Sequence, residues 1–155
     1  MTAAEKQMYK KSLYQQAVEM IRQRIAEARQ AMDNAQAAAN AEEKSSAGDK
    51  YETSRAMGQL EKDMHAKQLA ANNHELSALM GIDCKTLHDA VVTGCVVVCD
   101  EINFFIAAGL GKLSSGGKDI YFLSPAAPMA KLLFNKVVGD SISFNNKQLT
   151  ILDVY

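Results

Sequence analysis

The sequence predicts an α+β protein: an N-terminal antiparallel helical hairpin of coiled-coil type, then a small antiparallel sheet domain with one short helix. Three observations carry this. The composition changes near Gly81, from Ala, Gln, Glu, Lys, Arg and Met to Val, Ile, Phe and Gly. The first half has a helical apolar period, and the second has short apolar runs broken by turn residues.

The helical period is clearest in Tyr14, Val18, Ile21, Ile25, Ala28, Met32, Ala35 and Ala39, spaced 4, 3, 4, 3, 4, 3, 4. This is the a/d seam of a heptad repeat. A helix over 4–41 would be roughly 55 Å long at about 1.5 Å per residue. A second helix is expected over 49–79, with no proline in either. Met57, Leu60 and Met64 are expected to continue the seam, and Leu69, Leu76 and Leu79 to take over after a phase slip. Between the helices, Glu42-Glu43-Lys44-Ser45-Ser46-Ala47-Gly48 reads as a tight reversal in which Gly48 takes positive φ cheaply. Asp49 is placed to cap the second helix, with Glu52 at its third position.

The second half reads as strands 91–99, 102–107, 118–123, 141–144 and 148–154. Ser114-Ser115-Gly116-Gly117 and Asn145-Asn146-Lys147 supply hairpin turns. Pro128–Phe134 reads as a short helix opened by proline. The expected division is a hairpin at 1–80 with an acidic end at 42–52, a linker at 81–90, and a sheet domain at 91–155.

Charge and composition narrow the functions. The net charge of −1 leaves no global basic field for nucleic acid, so any such contact is local or delivered by a partner. Cys84, Cys95 and Cys99 have neither disulfide-framework nor zinc spacing and read as buried small hydrophobes. Residues 1–11 lack the apolar core of a signal peptide, and no run reaches the ~18 apolar residues of a membrane span. A cytoplasmic location is therefore expected. His65, His74 and His88 have no metal-ligand spacing and read as surface or linker positions. Gly109-Leu110-Gly111-Lys112 does not fit a phosphate loop and reads as a turn. Lys10, Lys11, Arg22, Arg24 and Arg29 offer a basic helix face, and one of the adjacent Phe104 and Phe105 is expected to point outward.

Two motifs give the chain a family likeness. Gly48-Asp49-Lys50-Tyr51-Glu52 matches Gly-Asp-x-x-Glu between the two helices. Ala127-Pro128-Met129-Ala130-Lys131-Leu132-Leu133-Phe134-Asn135-Lys136-Val137-Val138-Gly139-Asp140 is similar to Ser-Pro-Ile-Gly-x-Ala-Leu-Leu-Gly-Lys-x-x-Gly-Asp. In these motifs, and in their order along the chain, the sequence resembles the Gre family of bacterial transcript-cleavage factors, which join a coiled-coil hairpin to an FKBP-like domain. It departs from that family at Thr53, Arg55 and Ala56, which stand where Asn and Glu-Tyr are usual, and at Ala127, which stands for Ser although Ser124-Pro125 lies just upstream.

The resemblance implies a monomeric elongation factor that enters the secondary channel of RNA polymerase and stimulates Mg²⁺-dependent cleavage of backtracked RNA. It is not a free-standing enzyme or a membrane protein. Asp49 and Glu52 are then the catalytic carboxylates, holding one Mg²⁺ jointly with the polymerase. Mg²⁺ commonly takes one or two protein carboxylates and keeps several waters. Tyr51 and Arg55 become possible contacts to nascent RNA or polymerase, and Ser124, Pro125 and Pro128 possible docking contacts. The departures after Glu52 keep a second function in view, a non-cleaving regulator of the same channel. Prolyl isomerisation is the third; it asks for an aromatic pocket, and the chain has no tryptophan.

Overall fold

The computed structural model describes residues 1–45 and 49–155, without the side chains of 42–51. The architecture is α+β: a long helical pair, then a six-stranded sheet with one short helix.

Helix α1 spans Ala3–Ser45 and α2 spans Asp49–Met80. A capping box opens α1: Thr2 Oγ1 accepts from the Glu5 backbone N–H at 3.2 Å, and Glu5 Oε2 accepts from the Thr2 N–H at 3.1 Å. The heptad seam expected for α1 is buried or half-buried throughout. Across it, a Cβ built on Gly58 lies 3.6 Å from Ala39 Cβ, and Lys62 Nζ donates to Gln36 Oε1 at 2.6 Å. As α2 advances from 58 to 62, α1 retreats from 39 to 36, so the helices are antiparallel. Small residues at this crossing let the two backbones approach closely.

The seam of α2 differs from expectation. Met57, Leu60 and Met64 are 66%, 70% and 58% exposed. The inward face holds Ser54, Gly58, Lys62, His65, Leu69, Asn72 and Leu76. Over 54–65 these are mostly small or polar, so apolar periodicity selects the wrong face there, while Leu69, Leu76 and Leu79 lie inward as expected. His65 is thus a seam residue rather than a surface one. Its Nε2 lies 3.7 Å from Glu61, while its Nδ1 is buried with no partner among the described residues. The expected reversal at Ser46-Ala47-Gly48 lies outside the described residues, as do the side chains of Glu42, Glu43, Asp49 and Tyr51.

The strands are β1 (Val96–Cys99), β2 (Asn103–Ile106), β3 (Gly111–Ser115), β4 (Lys118–Leu123), β5 (Ser141–Phe144) and β6 (Lys147–Val154), with α3 (Pro128–Leu133) between β4 and β5. Their order in the sheet is β3-β4-β2-β1-β6-β5. All neighbouring pairs are antiparallel except β2 and β4, which run parallel. That pairing arises because β3, read as a turn in the sequence, is an edge strand: the chain skips one position and returns through the Gly116-Gly117 hairpin. Gly116 and Gly117 have φ 60° and 77°, as a two-residue turn of this hand requires. Asn145 and Asn146, at φ 50° and 63°, make the equivalent turn between β5 and β6. Strand β1 starts later than expected because Gly94, at φ 92°, bends the chain there.

Both sheet faces are covered. One carries Val97, Cys99, Phe104, Ile106, Leu149 and Ile151 against Met129, Ala130 and Leu133 of α3. The other carries Val96, Phe105 and Phe122, whose rings meet edge-on at 5.3 Å between centroids. Phe104 and Phe105 are therefore both buried, and neither points outward. The start of α1 is tied to this domain by a 2.9 Å ion pair from Lys6 to Asp153, by Lys6 over the Tyr155 ring, and by a 3.2 Å hydrogen bond from Gln16 to Ser115. By packing, the chain forms two compact units: Met1–Val18 with Leu79–Tyr155, and Glu19–Ala78. No described helix is long and apolar enough to cross a membrane.

Candidate functional site

The two carboxylates singled out by the sequence, Asp49 and Glu52, fall in the first turn of α2. Their positions are three residues apart in the helix. A helix start carries partial positive charge, which favours carboxylates there. Glu52 is exposed and makes no hydrogen bond or ion pair among the described residues, so its oxygens are open to an external ligand. Arg55, one turn further on, is exposed too, as are Thr53 and Ala56. No group of three or more His, Cys, Asp or Glu side chains assembles a metal site among the described residues. Among the described side chains, the start of α2 offers the exposed Glu52 carboxylate.

The other predicted contacts share one corner of the sheet domain. Ser124 and Pro125 lie in the turn joining β4 to α3, and Pro128 is the first residue of α3. Ser124 organises the turn: its Oγ accepts from the Ala126 N–H at 3.2 Å, and its carbonyl accepts from the Ala127 N–H at 2.9 Å. Ala127 gives α3 no side-chain cap, and Pro128 opens the helix, where a missing N–H costs nothing. Pro128 is exposed, while Ser124 and Pro125 are half-buried. Beyond α3, Asn135 takes φ 65°. Asp140 Oδ2 then accepts from the Val137 N–H at 2.8 Å, closing the turn into β5. The 127–140 motif is thus one continuous helix-and-turn unit ending at Gly139, with φ 93°.

A cluster the sequence reading missed lies at the start of α1. Lys10, expected on a basic surface, is fully buried, and its Nζ donates to the Thr86 carbonyl at 2.8 Å. Burial lowers its pKa from 10.5. Lys11 and Arg22 remain exposed, so the basic face loses one of its members. The spacing of Lys10, Leu13 and Ala17 along one helix ridge was the available signal. Beside it, the Asp83 carboxylate accepts from Thr86 Oγ1 at 2.6 Å and from the Lys85 and Thr86 N–H groups. The Thr86 hydroxyl and these amides hold Asp83 down at about 2. Cys84 and Cys99 are buried free thiols, each pushed up to about 11 by burial. Cys95 is raised by the same cause. These are packing residues with unreactive thiols, as their composition suggested.

No protein-family model matches the chain, and no curated protein matches it.

Proposed function

We propose that this chain is a transcription elongation factor that enters the secondary channel of bacterial RNA polymerase and stimulates Mg²⁺-dependent cleavage of backtracked transcripts. The observation that carries the reading is the placement of Asp49 and Glu52 in the first turn of a 32-residue helix, α2, packed antiparallel on the 43-residue α1. A long helix pair suits a narrow channel, and Asp49 and Glu52 are residues of the oxygen-donor kind a hard cation needs. The compact 127–140 unit beside Ser124 and Pro125 supports a docking role for the sheet domain.

In this reading Asp49 and Glu52 hold a Mg²⁺ ion together with carboxylates of the polymerase. When bound, that ion supplies charge neutralisation and polarises water. The chain's own contribution is positional: both residues stand in the first turn of α2, and the unpaired Glu52 side chain needs no ion pair broken before it binds. Arg55, on the same face, is placed to meet an RNA phosphate. A complete site forms only in the assembly, so the free protein binds Mg²⁺ weakly.

The test is a cleavage assay on stalled elongation complexes with the full chain and with Asp49→Asn, Glu52→Gln and the double variant. The amides keep the size of the carboxylates but lose their charge. Cleavage should fall strongly while polymerase binding persists, and raised Mg²⁺ should partly rescue Asp49→Asn. Binding without cleavage at any Mg²⁺ concentration by the unaltered chain would instead establish the non-cleaving channel regulator. Arg55 and Ala56 in place of the family's Glu-Tyr are the observation that favours that second reading.

A further inference from the structure

Helix α2 carries an apolar ridge that the helix pair does not use. Met57, Leu60 and Met64 are spaced 3 and 4 apart, so they lie along one side of the helix, turned away from the seam residues Gly58 and His65. All three are more than half exposed. Exposed apolar residues are normally scattered singly, whereas a row at helical spacing marks a contact surface. Methionine is the residue most readily repacked against a partner.

The charges beside the ridge select the occupant. Glu61 borders it on the side toward the seam and Asp63 on the other, both level with Leu60 and Met64. Asp63 is already solvated by Gln59 Nε2 at 3.0 Å, and Glu61 faces only His65, so both keep free oxygens outward. Lys67 stands at the end of the ridge with no partner among the described residues. A second copy of α2 laid antiparallel on the ridge would set Glu61 against Glu61 and Asp63 against Asp63, and like charges so placed are repelled. An anionic lipid surface would meet the same two carboxylates. A helix with basic flanks finds opposite charge on both sides.

We propose that the Met57–Leu60–Met64 ridge is a docking surface for an amphipathic α-helix of a partner protein, one whose apolar stripe is flanked by lysine or arginine. The stripe would interlock with the ridge at helix–helix spacing, with its basic residues beside Glu61 and Asp63. This site is separate from the Asp49–Glu52 pair and does not rest on the transcript-cleavage reading.

The experiment titrates the full chain, by fluorescence anisotropy, against two labelled synthetic helices with the same leucine stripe, one flanked by lysine and one by glutamate. The lysine-flanked helix should bind, and the glutamate-flanked one at least about tenfold more weakly. A Met57→Gln/Met64→Gln variant should lose binding about tenfold or more while keeping its helical circular dichroism and melting temperature, since both side chains are solvent-facing. A Glu61→Lys/Asp63→Lys variant should reverse the preference between the two helices. Equal binding of both helices, or unchanged binding by the methionine variant, would overturn the proposal. So would a ridge-dependent dimer in sedimentation, or ridge-dependent binding to phosphatidylserine vesicles in preference to the lysine-flanked helix.

Discussion

The Lys10 ammonium donates to the Thr86 carbonyl at 2.8 Å from a position with no solvent exposure. One helix turn near the start of α1 is thereby fastened to the 83–86 turn, across 76 residues of sequence. Burying an ammonium is unfavourable, so the position trades stability for a fixed contact. Truncation and apolar replacement therefore have different outcomes. Lys10→Ala leaves a void and an unpaired carbonyl, and should cost about 2–4 kcal/mol. Lys10→Met also leaves the Thr86 carbonyl without its donor but fills the space and removes the buried charge, so it should cost less than Lys10→Ala by about 1–2 kcal/mol. Urea denaturation of both variants checks the order.

The crossing of the helix pair can be fixed covalently. The 3.6 Å between Ala39 Cβ and a Cβ at Gly58 falls within the range a disulfide spans. The Ala39→Cys/Gly58→Cys variant should oxidise readily and run as a compacted species on a non-reducing gel. The Ala39→Cys/Met57→Cys variant should not, because Met57 faces solvent.

Asn72 is the most exposed to improvement among the seam residues. It is buried, and its Nδ2 has no partner among the described residues. An unpaired buried amide costs free energy that a leucine would not. Asn72→Leu should raise stability by about 1–2 kcal/mol. Met57→Leu, on the solvent side, should change it by less than about 0.5 kcal/mol. Thermal melts of the two variants separate these positions.

The Asp83 carboxyl gives the fold a defined acid response. Its ordinary value is 3.8, and the hydrogen bonds from Thr86 and Lys85 hold it at about 2 in the folded chain. A depressed carboxyl stabilises the fold above the unfolded value and loses that contribution as pH falls through the folded one. The unaltered protein should therefore weaken between about pH 4 and pH 2, while Asp83→Asn should be less stable above that window and flatter within it. Urea midpoints measured at several pH values check the slope.

The sequence was most legible where one physical signal dominates. The α1 seam is apolar at every heptad position, and burial follows it. In α2 the close approach at Gly58 and Ala39 demands small residues, so Met57, Leu60 and Met64 sit outside and the periodicity misleads there, while Leu69, Leu76 and Leu79 follow it inward. Strand β3 has the composition Gly-Lys-Leu-Ser-Ser and lies at a sheet edge, so it shows neither alternation nor β-branched residues. Phe104 and Phe105 look like one inward and one outward residue, but they are both buried because each face of the sheet is covered. Lys10 was opaque because charge argues for the surface, while only its spacing from Leu13 and Ala17 argues against it. Asp49 and Glu52 are singled out by a motif alone; α2 begins at Asp49, whose side chain lies outside the described residues.

The two compact units have different histories in sequence. Glu19–Ala78 is one continuous stretch, and its antiparallel helices are joined locally. The sheet domain needs residues 1–18 at one end and β6 at the other, where Tyr155 exchanges backbone hydrogen bonds with Val96. On a ribosome the helix pair can therefore assemble while the sheet still lacks its closing strand. Until β6 has emerged, β1 and β5 both lack the strand they pair with. Contacts so distant in sequence form slowly, because the loop must close before any of them is gained. The nascent chain is therefore expected to pass through a stage with a formed helix pair and an unpaired β1 edge, the stage at which a holdase chaperone has most to bind.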